Sequence, residues 1–249
     1  MSLKNKQLVE QKLSGISISK RNSAEKNNQR ARNPVTPSRM TVRGQFPSKK
    51  MQRMIAWESQ LERRACYLFE FSGNIVSFRE QPERLIIPYE DKIKRYTPDF
   101  EVINSFGEIS YCEIKPFEKL MGLKHYFQHI DCYLQKRGIH FFVLTEAELV
   151  SPIRELNLIT FRKYQMVEVS TEIKLLLNDI YSYKNFSPLH FNYLEQFLGR
   201  KVIYSAMANG YLECDLNHAI TDNTPVYFRN SKGESHAQAL FYCRTAPSF

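Results

Sequence analysis

Tyr96-Thr97-Pro98-Asp99-Phe100-Glu101-Val102-Ile103, then Asn104-Ser105-Phe106-Gly107, then Ile109-Ser110-Tyr111-Cys112-Glu113-Ile114-Lys115-Pro116 is the stretch that decides the fold. Apolar and aromatic residues dominate both arms and turn formers fill the gap between them, which predicts two strands joined by a turn. Asp99 falls near the start of the first strand. Glu113 and Lys115 are two apart on the second, so they project from one face. Buried charge is costly, so this group must pair internally, meet solvent or hold a cation.

Working outward, the pattern before the hairpin is helical from Ile55. Trp57, Leu61, Ala65, Leu68 and Phe69 recur at steps of three and four, and Gly73-Asn74 ends the run. Glu62 lies on the flank of that stripe, where it can face the core edge or solvent. Ile75–Phe78 and Leu85–Tyr89 read as short strands, and the polar segment from Glu90 to Arg95 as a turn into the hairpin. After Pro116 a helix is expected over about 117–136, with Leu120, Leu123, Phe127, Ile130 and Leu134 on one face. Ile139–Thr145 then reads as a buried strand. Helix, strands, helix and buried strand together predict an α/β layer.

Beyond Ser151 the expected elements are helices over Thr171–Tyr183, Leu189–Leu198 and Val202–Asn209. Ser187-Pro188 is taken as the cap of the second. A small hairpin is expected from Gly210–Asp215 and Pro225–Phe228. Three helices plus a hairpin match the winged-helix layout, which can meet DNA or protein. The expected organisation is a basic flexible arm over 1–42, an α/β domain over 43–150 and a winged-helix-like interaction domain over 151–249.

Charge is unevenly placed. Of the 35 Lys and Arg and 26 Asp and Glu, residues 1–50 hold 12 and 2, leaving 23 and 24 for the remainder. The net charge of +9 is therefore a property of the arm. Such a segment is either a solvated terminus or a phosphate-binding arm. The five cysteines are scattered and form no C-x-x-C pair, which argues against a disulfide framework or zinc ribbon and suits a reducing cytosol. No apolar run approaches the roughly 18–20 residues that span a bilayer, and no signal peptide opens the chain. The expected location is cytoplasmic. His125 and His129 stand at helical i,i+4 spacing but lack the neighbours of a zinc site, and read as ordinary surface histidines. No glycine-rich phosphate loop or serine nucleophile elbow is present.

Pro98-Asp99, thirteen residues, then Glu113-Ile114-Lys115 fits the restriction-endonuclease pattern PD…(D/E)xK. As a string it is weak, and a surface Glu–Lys pair on a strand is the plain alternative. The chemistry gives the combination sense. A phosphodiester repels hydroxide, so cutting it needs charge neutralisation and a positioned water. Asp99, Glu113 and Glu62 offer hard oxygen ligands for Mg²⁺, and the Ile114 carbonyl can complete the shell. Lys115 can orient or deprotonate the water and balance transition-state charge.

With Ser59-Gln60-Leu61-Glu62, Arg79-Glu80-Gln81-Pro82, Thr97-Pro98-Asp99-Phe100 and Glu113-Ile114-Lys115-Pro116, the chain resembles the TnsA endonucleases of heteromeric cut-and-paste transposons, over roughly residues 43–145. A weaker likeness to that family's winged-helix domain covers the rest. The resemblance implies a restriction-endonuclease-like core that nicks the 5′ strands of transposon-end DNA in Mg²⁺, with Mn²⁺ a possible substitute. A TnsB-like transposase would cut the 3′ strands, and a TnsC-like AAA+ regulator would contact the C-terminal domain. By motif, the catalytic residues carried over are Glu62, Asp99, Glu113 and Lys115. The family often has Gln where Glu113 stands; Glu is the commoner residue in the wider fold. The alternatives are a stand-alone restriction or repair nuclease of the same fold, and a non-catalytic adaptor between DNA ends and a regulator.

Overall fold

The computed structural model describes residues 42–229; the expected basic arm lies outside them except for its last residue. The described residues fall within one compact unit. The first of the described elements is a hairpin, Gly44–Ser48 paired antiparallel with Arg53–Trp57. Sequence reading places a helix from Ile55, but Ile55 and Ala56 are buried strand residues. The helix runs Gln60–Phe71 because Ser59 takes the N-cap, its side chain accepting from the Glu62 N–H at 3.1 Å. The apolar stripe is real; its first residues belong to the preceding strand.

The central sheet has four strands in the order Ile75–Glu80, Phe100–Asn104, Ile109–Ile114, His140–Leu144. The first three pair antiparallel and the last runs parallel to Ile109–Ile114. That parallel pair needs a crossover. A short helix Phe117–Leu120, a 3₁₀ turn Met121–Leu123 and a helix Lys124–Gln135 supply it. The single helix expected over 117–136 is broken where Gly122 falls, a residue that costs about 1 kcal/mol in a helix interior.

Ile109–Ile114 is buried from Ser110 onward and serves two cores. Cys112 and Ile114 pack with Phe69, Phe78, Phe100 and Phe142 on the side of the Gln60–Phe71 helix. Tyr111 packs with Phe127, Ile130 and Leu134 from the crossover helix. Glu113 is two residues from Tyr111 and shares its face.

Glu90–Arg95 is not a turn as the sequence suggests. Lys92–Tyr96 is a strand paired residue for residue with Leu85–Tyr89, and Glu90-Asp91 alone makes the reversal. Four of its five residues are exposed, so it carries no apolar alternation to announce it.

The C-terminal half contains helices Pro152–Tyr164, Thr171–Tyr183, Phe191–Leu198 and Arg200–Ala208. Three short strands join them, in the order Leu212–Glu213, Pro225–Phe228, Leu189–His190. Leu158, Phe161, Leu177, Phe191, Leu194 and Ile203 share its core. The Pro152–Tyr164 helix was not anticipated, although Ser151 caps it and Pro152 opens it. The same Ser-Pro signal at Ser187-Pro188 starts no helix, because Leu189–His190 is committed to pairing with Pro225–Val226. Polar contacts join the halves: Lys49 Nζ donates to Gln165 O at 2.8 Å and Asn209 Oδ1 at 2.7 Å, and Arg64 Nε lies 3.2 Å from Glu155 Oε2. Among the described residues no helix is long and apolar enough to cross a membrane.

Candidate active site

Asp99 precedes the strand Phe100–Asn104, and Glu113 sits on the paired strand one step beyond the Phe100–Cys112 partners. The two carboxylates therefore fall side by side at one end of the sheet. Asp99 is held at both ends: its carbonyl accepts the Gln81 N–H at 2.8 Å, and its Oδ2 accepts the Ile114 N–H at 2.8 Å. Glu113 is 4% exposed. The Tyr96 hydroxyl donates to its Oε2 at 2.7 Å, and Lys115 Nζ lies 2.7 Å from its Oε1.

Glu62 arrives from the helix on the other face of the sheet. It is half-buried in the first helical turn. Its carboxylate accepts from the Glu58 N–H at 2.7 Å and the Ser59 hydroxyl at 3.0 Å. Glu62 thus exchanges hydrogen bonds with Ser59 at the helix start, and its charge reaches Asp99.

The electrostatics link these groups. Burial and the neighbouring Glu113 charge hold the Asp99 carboxyl well above the usual range; Glu62 adds to that shift and Lys115 opposes it. Burial raises Glu62, against the Glu58 and Ser59 hydrogen bonds. For Lys115, burial works against its charge, but Glu113 and Asp99 together raise its pKa. Like charges crowded at low dielectric favour protonation or a cation in their midst.

Three carboxylates are the donor set of a hard divalent ion, so the chemistry fits Mg²⁺. In their present positions each accepts hydrogen bonds from the protein. Among the described residues, no group of three or more His, Cys, Asp or Glu side chains is placed to close a metal site as it stands. Ile114 contributes its N–H to Asp99.

Two further residues build this site; both stand in the quoted sequence stretches, where no role attaches to either. Tyr96 is the first: a buried tyrosine needs a partner for its hydroxyl, and here that partner is Glu113. Gln81 is the second. It adopts φ 45°, gives its N–H to the Asp99 carbonyl and its Nε2 to Glu58 Oε1 at 3.0 Å. Its neighbours anchor it. Arg79 pairs with Glu101 at 2.7 Å, and Glu80 pairs with Arg53 at 2.7 Å.

A mixed sheet that gathers Asp, Glu and Lys at one end, flanked by a helix on each face, fits a nuclease-like core. Residues 72–146 match the family model described as the TnsA-like endonuclease N-terminal domain. The chain is TnsA-like over that segment, which contains Asp99, Glu113, Ile114 and Lys115; Glu62 lies ahead of it. No curated protein matches the chain.

Proposed function

We propose that this protein is a Mg²⁺-dependent DNA endonuclease that cuts the 5′ strands at transposon ends within a heteromeric transposase. A TnsB-like partner would cut the 3′ strands and a TnsC-like AAA+ regulator would contact the C-terminal half. The observation that carries the proposal is the meeting of Asp99, Glu113 and Lys115 at one sheet end, with Glu62 close enough to perturb Asp99, in the segment that matches a TnsA-like endonuclease. The C-terminal helices with their three-stranded sheet support a winged-helix reading of residues 151–249 as the interaction domain.

Asp99, Glu113 and Glu62 would hold the ion, with the Ile114 carbonyl as a further ligand. Bound Mg²⁺ supplies charge neutralisation at the phosphate and an acidified water. Lys115 would orient the attacking water and, as a cation, would offset charge that builds on the phosphate oxygens. Tyr96 keeps Glu113 aimed, and the Ile114 N–H does the same for Asp99.

The test is strand-specific nicking of transposon-end DNA with the partner transposase and Mg²⁺, comparing the wild type with Asp99→Ala. The expected result is loss of 5′-strand cuts with the partner's 3′ cuts retained. Equal cutting by both proteins would overturn it. One observation favours a second reading, a non-catalytic adaptor: Glu62 is engaged by its own helix cap. Failure of the wild type to bind Mg²⁺ or Mn²⁺ by calorimetry, with or without DNA, would select that reading.

A further inference from the structure

Some cations among the described residues sit in ion pairs and others do not. Arg53, Arg64, Arg79, Lys115, Arg200 and Arg229 are each matched by a carboxylate. Among the described residues, Lys92, Lys94 and Arg95 on the ribbon, and Lys119 and Lys124 after the site, are exposed and stand in no ion pair. Arg84, Lys136, Lys163, Lys184 and Lys201 are exposed and unpaired too, but Lys92, Lys94, Arg95, Lys119 and Lys124 bracket the active site in the chain. Lys92–Arg95 leads into Tyr96–Asp99, and Lys119 and Lys124 follow Lys115.

The ribbon is fixed against the crossover helix, which brings the two basic segments to one side. Tyr89 meets Tyr126 edge-on at 5.1 Å, His129 Nε2 lies 2.5 Å from the Pro88 carbonyl, and the Tyr133 hydroxyl donates to the Ile86 carbonyl at 3.1 Å. Lys94 Nζ sits over the rings of Tyr89 and Tyr126, at 4.2 and 4.8 Å from their centroids. That contact orders the ammonium without neutralising it. Tyr126 in turn feels the Glu113 charge and is 6.4 Å from the Tyr96 ring. A line of contacts thus runs from the basic ribbon to the active-site carboxylate.

The outer face of the ribbon is open. Ile86 is 47% and Ile93 58% exposed, beside Arg95. Arg95 shares that face with Ile86 and Ile93, whereas Lys92 and Lys94 alternate onto the face turned toward Tyr126 of the crossover helix, so the ribbon offers cations to a duplex on both faces. Glu90 and Asp91 occupy the tip, so the arms rather than the turn face the polyanion.

We propose that the Leu85–Tyr96 ribbon, with Lys119 and Lys124, is the surface that grips the phosphate backbone of the DNA being cut. The inference rests on the nuclease reading and adds where the duplex lies. Its cations contact phosphates and hold the scissile strand over Asp99 and Glu113. This assigns duplex binding to the folded body rather than to the basic arm alone.

The test uses the full chain, with a labelled transposon-end duplex, anisotropy titrations in Ca²⁺ at several salt concentrations and cleavage assays in Mg²⁺ with the partner transposase. Two variants are compared with the wild type, Lys92→Ser/Arg95→Ser on the ribbon and Lys119→Ser/Lys124→Ser on the crossover. All four positions are exposed, and thermal melts check folding. Each pair is expected to weaken binding about tenfold or more and to lower the salt slope by roughly 2, since each lost phosphate contact removes about 0.9. Unchanged affinity and slope in both variants, with the wild type still cutting, would overturn this surface and leave the nuclease reading intact. A wild type that binds the duplex but never cuts would sink the nuclease reading instead. Variants that bind DNA normally but lose an acidic protein partner would also overturn the proposal.

Discussion

Lys115 Nζ lies 2.7 Å from Glu113 Oε1, on a side chain two residues along the same strand. The pairing places an ammonium beside Asp99, and the Glu113 and Asp99 charges raise the lysine pKa against its burial. If Lys115 acts on the attacking water, Lys115→Met should lower 5′-strand nicking by about 10²–10³-fold, the size of a lost charge-stabilising group. Duplex affinity in Ca²⁺ should stay close to the wild type. Lys115→Arg should not restore the rate, because a planar fork cannot replace a compact ammonium at this spacing. Single-turnover nicking measures both.

Tyr96→Phe removes the hydroxyl that donates to Glu113 Oε2. The carboxylate is left buried with Lys115 alone, and a lost hydrogen bond to a buried charge costs about 1.5–3 kcal/mol. Urea melts should show a destabilisation of that size. Cleavage should fall through weaker metal binding, so added Mg²⁺ should recover part of it. A rate loss that no Mg²⁺ concentration reduces would place Tyr96 in the chemistry itself.

The central strands and the meeting of Asp99, Glu113 and Lys115 were legible in the sequence because apolar runs mark buried strands and period two fixes the face. The strand Lys92–Tyr96 was not, since an exposed ribbon has no alternation to read. The start of the Gln60–Phe71 helix was misplaced because Ile55 and Trp57 extend its apolar spacing, and only the Ser59 cap marks the boundary. Tyr96 and Gln81 stand in stretches that the sequence marks, but their roles do not show there for another reason. Their partners, Glu113 and the Asp99 carbonyl, are 17 and 18 positions away, and no local pattern reports a contact of that span.

Lys50 offers a pH test away from the active site. Its ammonium donates to the Phe69, Ser72 and Ile75 carbonyls at 2.7, 2.9 and 2.7 Å, and closes the end of the Gln60–Phe71 helix. Burial lowers its pKa to about 8, against the attraction of Glu70. Between about pH 8 and 10.5 the unfolded chain therefore holds a proton that the folded chain has lost, and stability contributed by this group rises with pH. The full difference is about 3 kcal/mol, present as a penalty below the folded value and gone above the unfolded one. Denaturant melts from pH 7 to 10 should show this slope in the wild type and lose it in Lys50→Met.

Glu80 ties the first hairpin to the site. It is 3% exposed, accepts from Arg53 Nη2 at 2.7 Å and Nη1 at 3.0 Å, and takes the Ala56 N–H at 3.1 Å. Arg53 Nε is buried without a hydrogen-bond partner, so the guanidinium depends heavily on this carboxylate. Glu80→Gln removes the charge and keeps the shape, leaving a buried cation uncompensated at a cost of about 3–5 kcal/mol. In a chain of this size that lowers Tm by roughly 10 °C. Replacing both partners, as Arg53→Met/Glu80→Leu, should recover most of that loss, because the buried pair is favoured chiefly over its half-broken form. Gln81 follows Glu80 and holds the Asp99 carbonyl, so the single variant should also lose nicking more steeply on warming than it loses secondary structure. Calorimetry and nicking rates from 20 to 45 °C would check both; parallel losses would mean that Glu80 supports the fold and not the placement of Asp99.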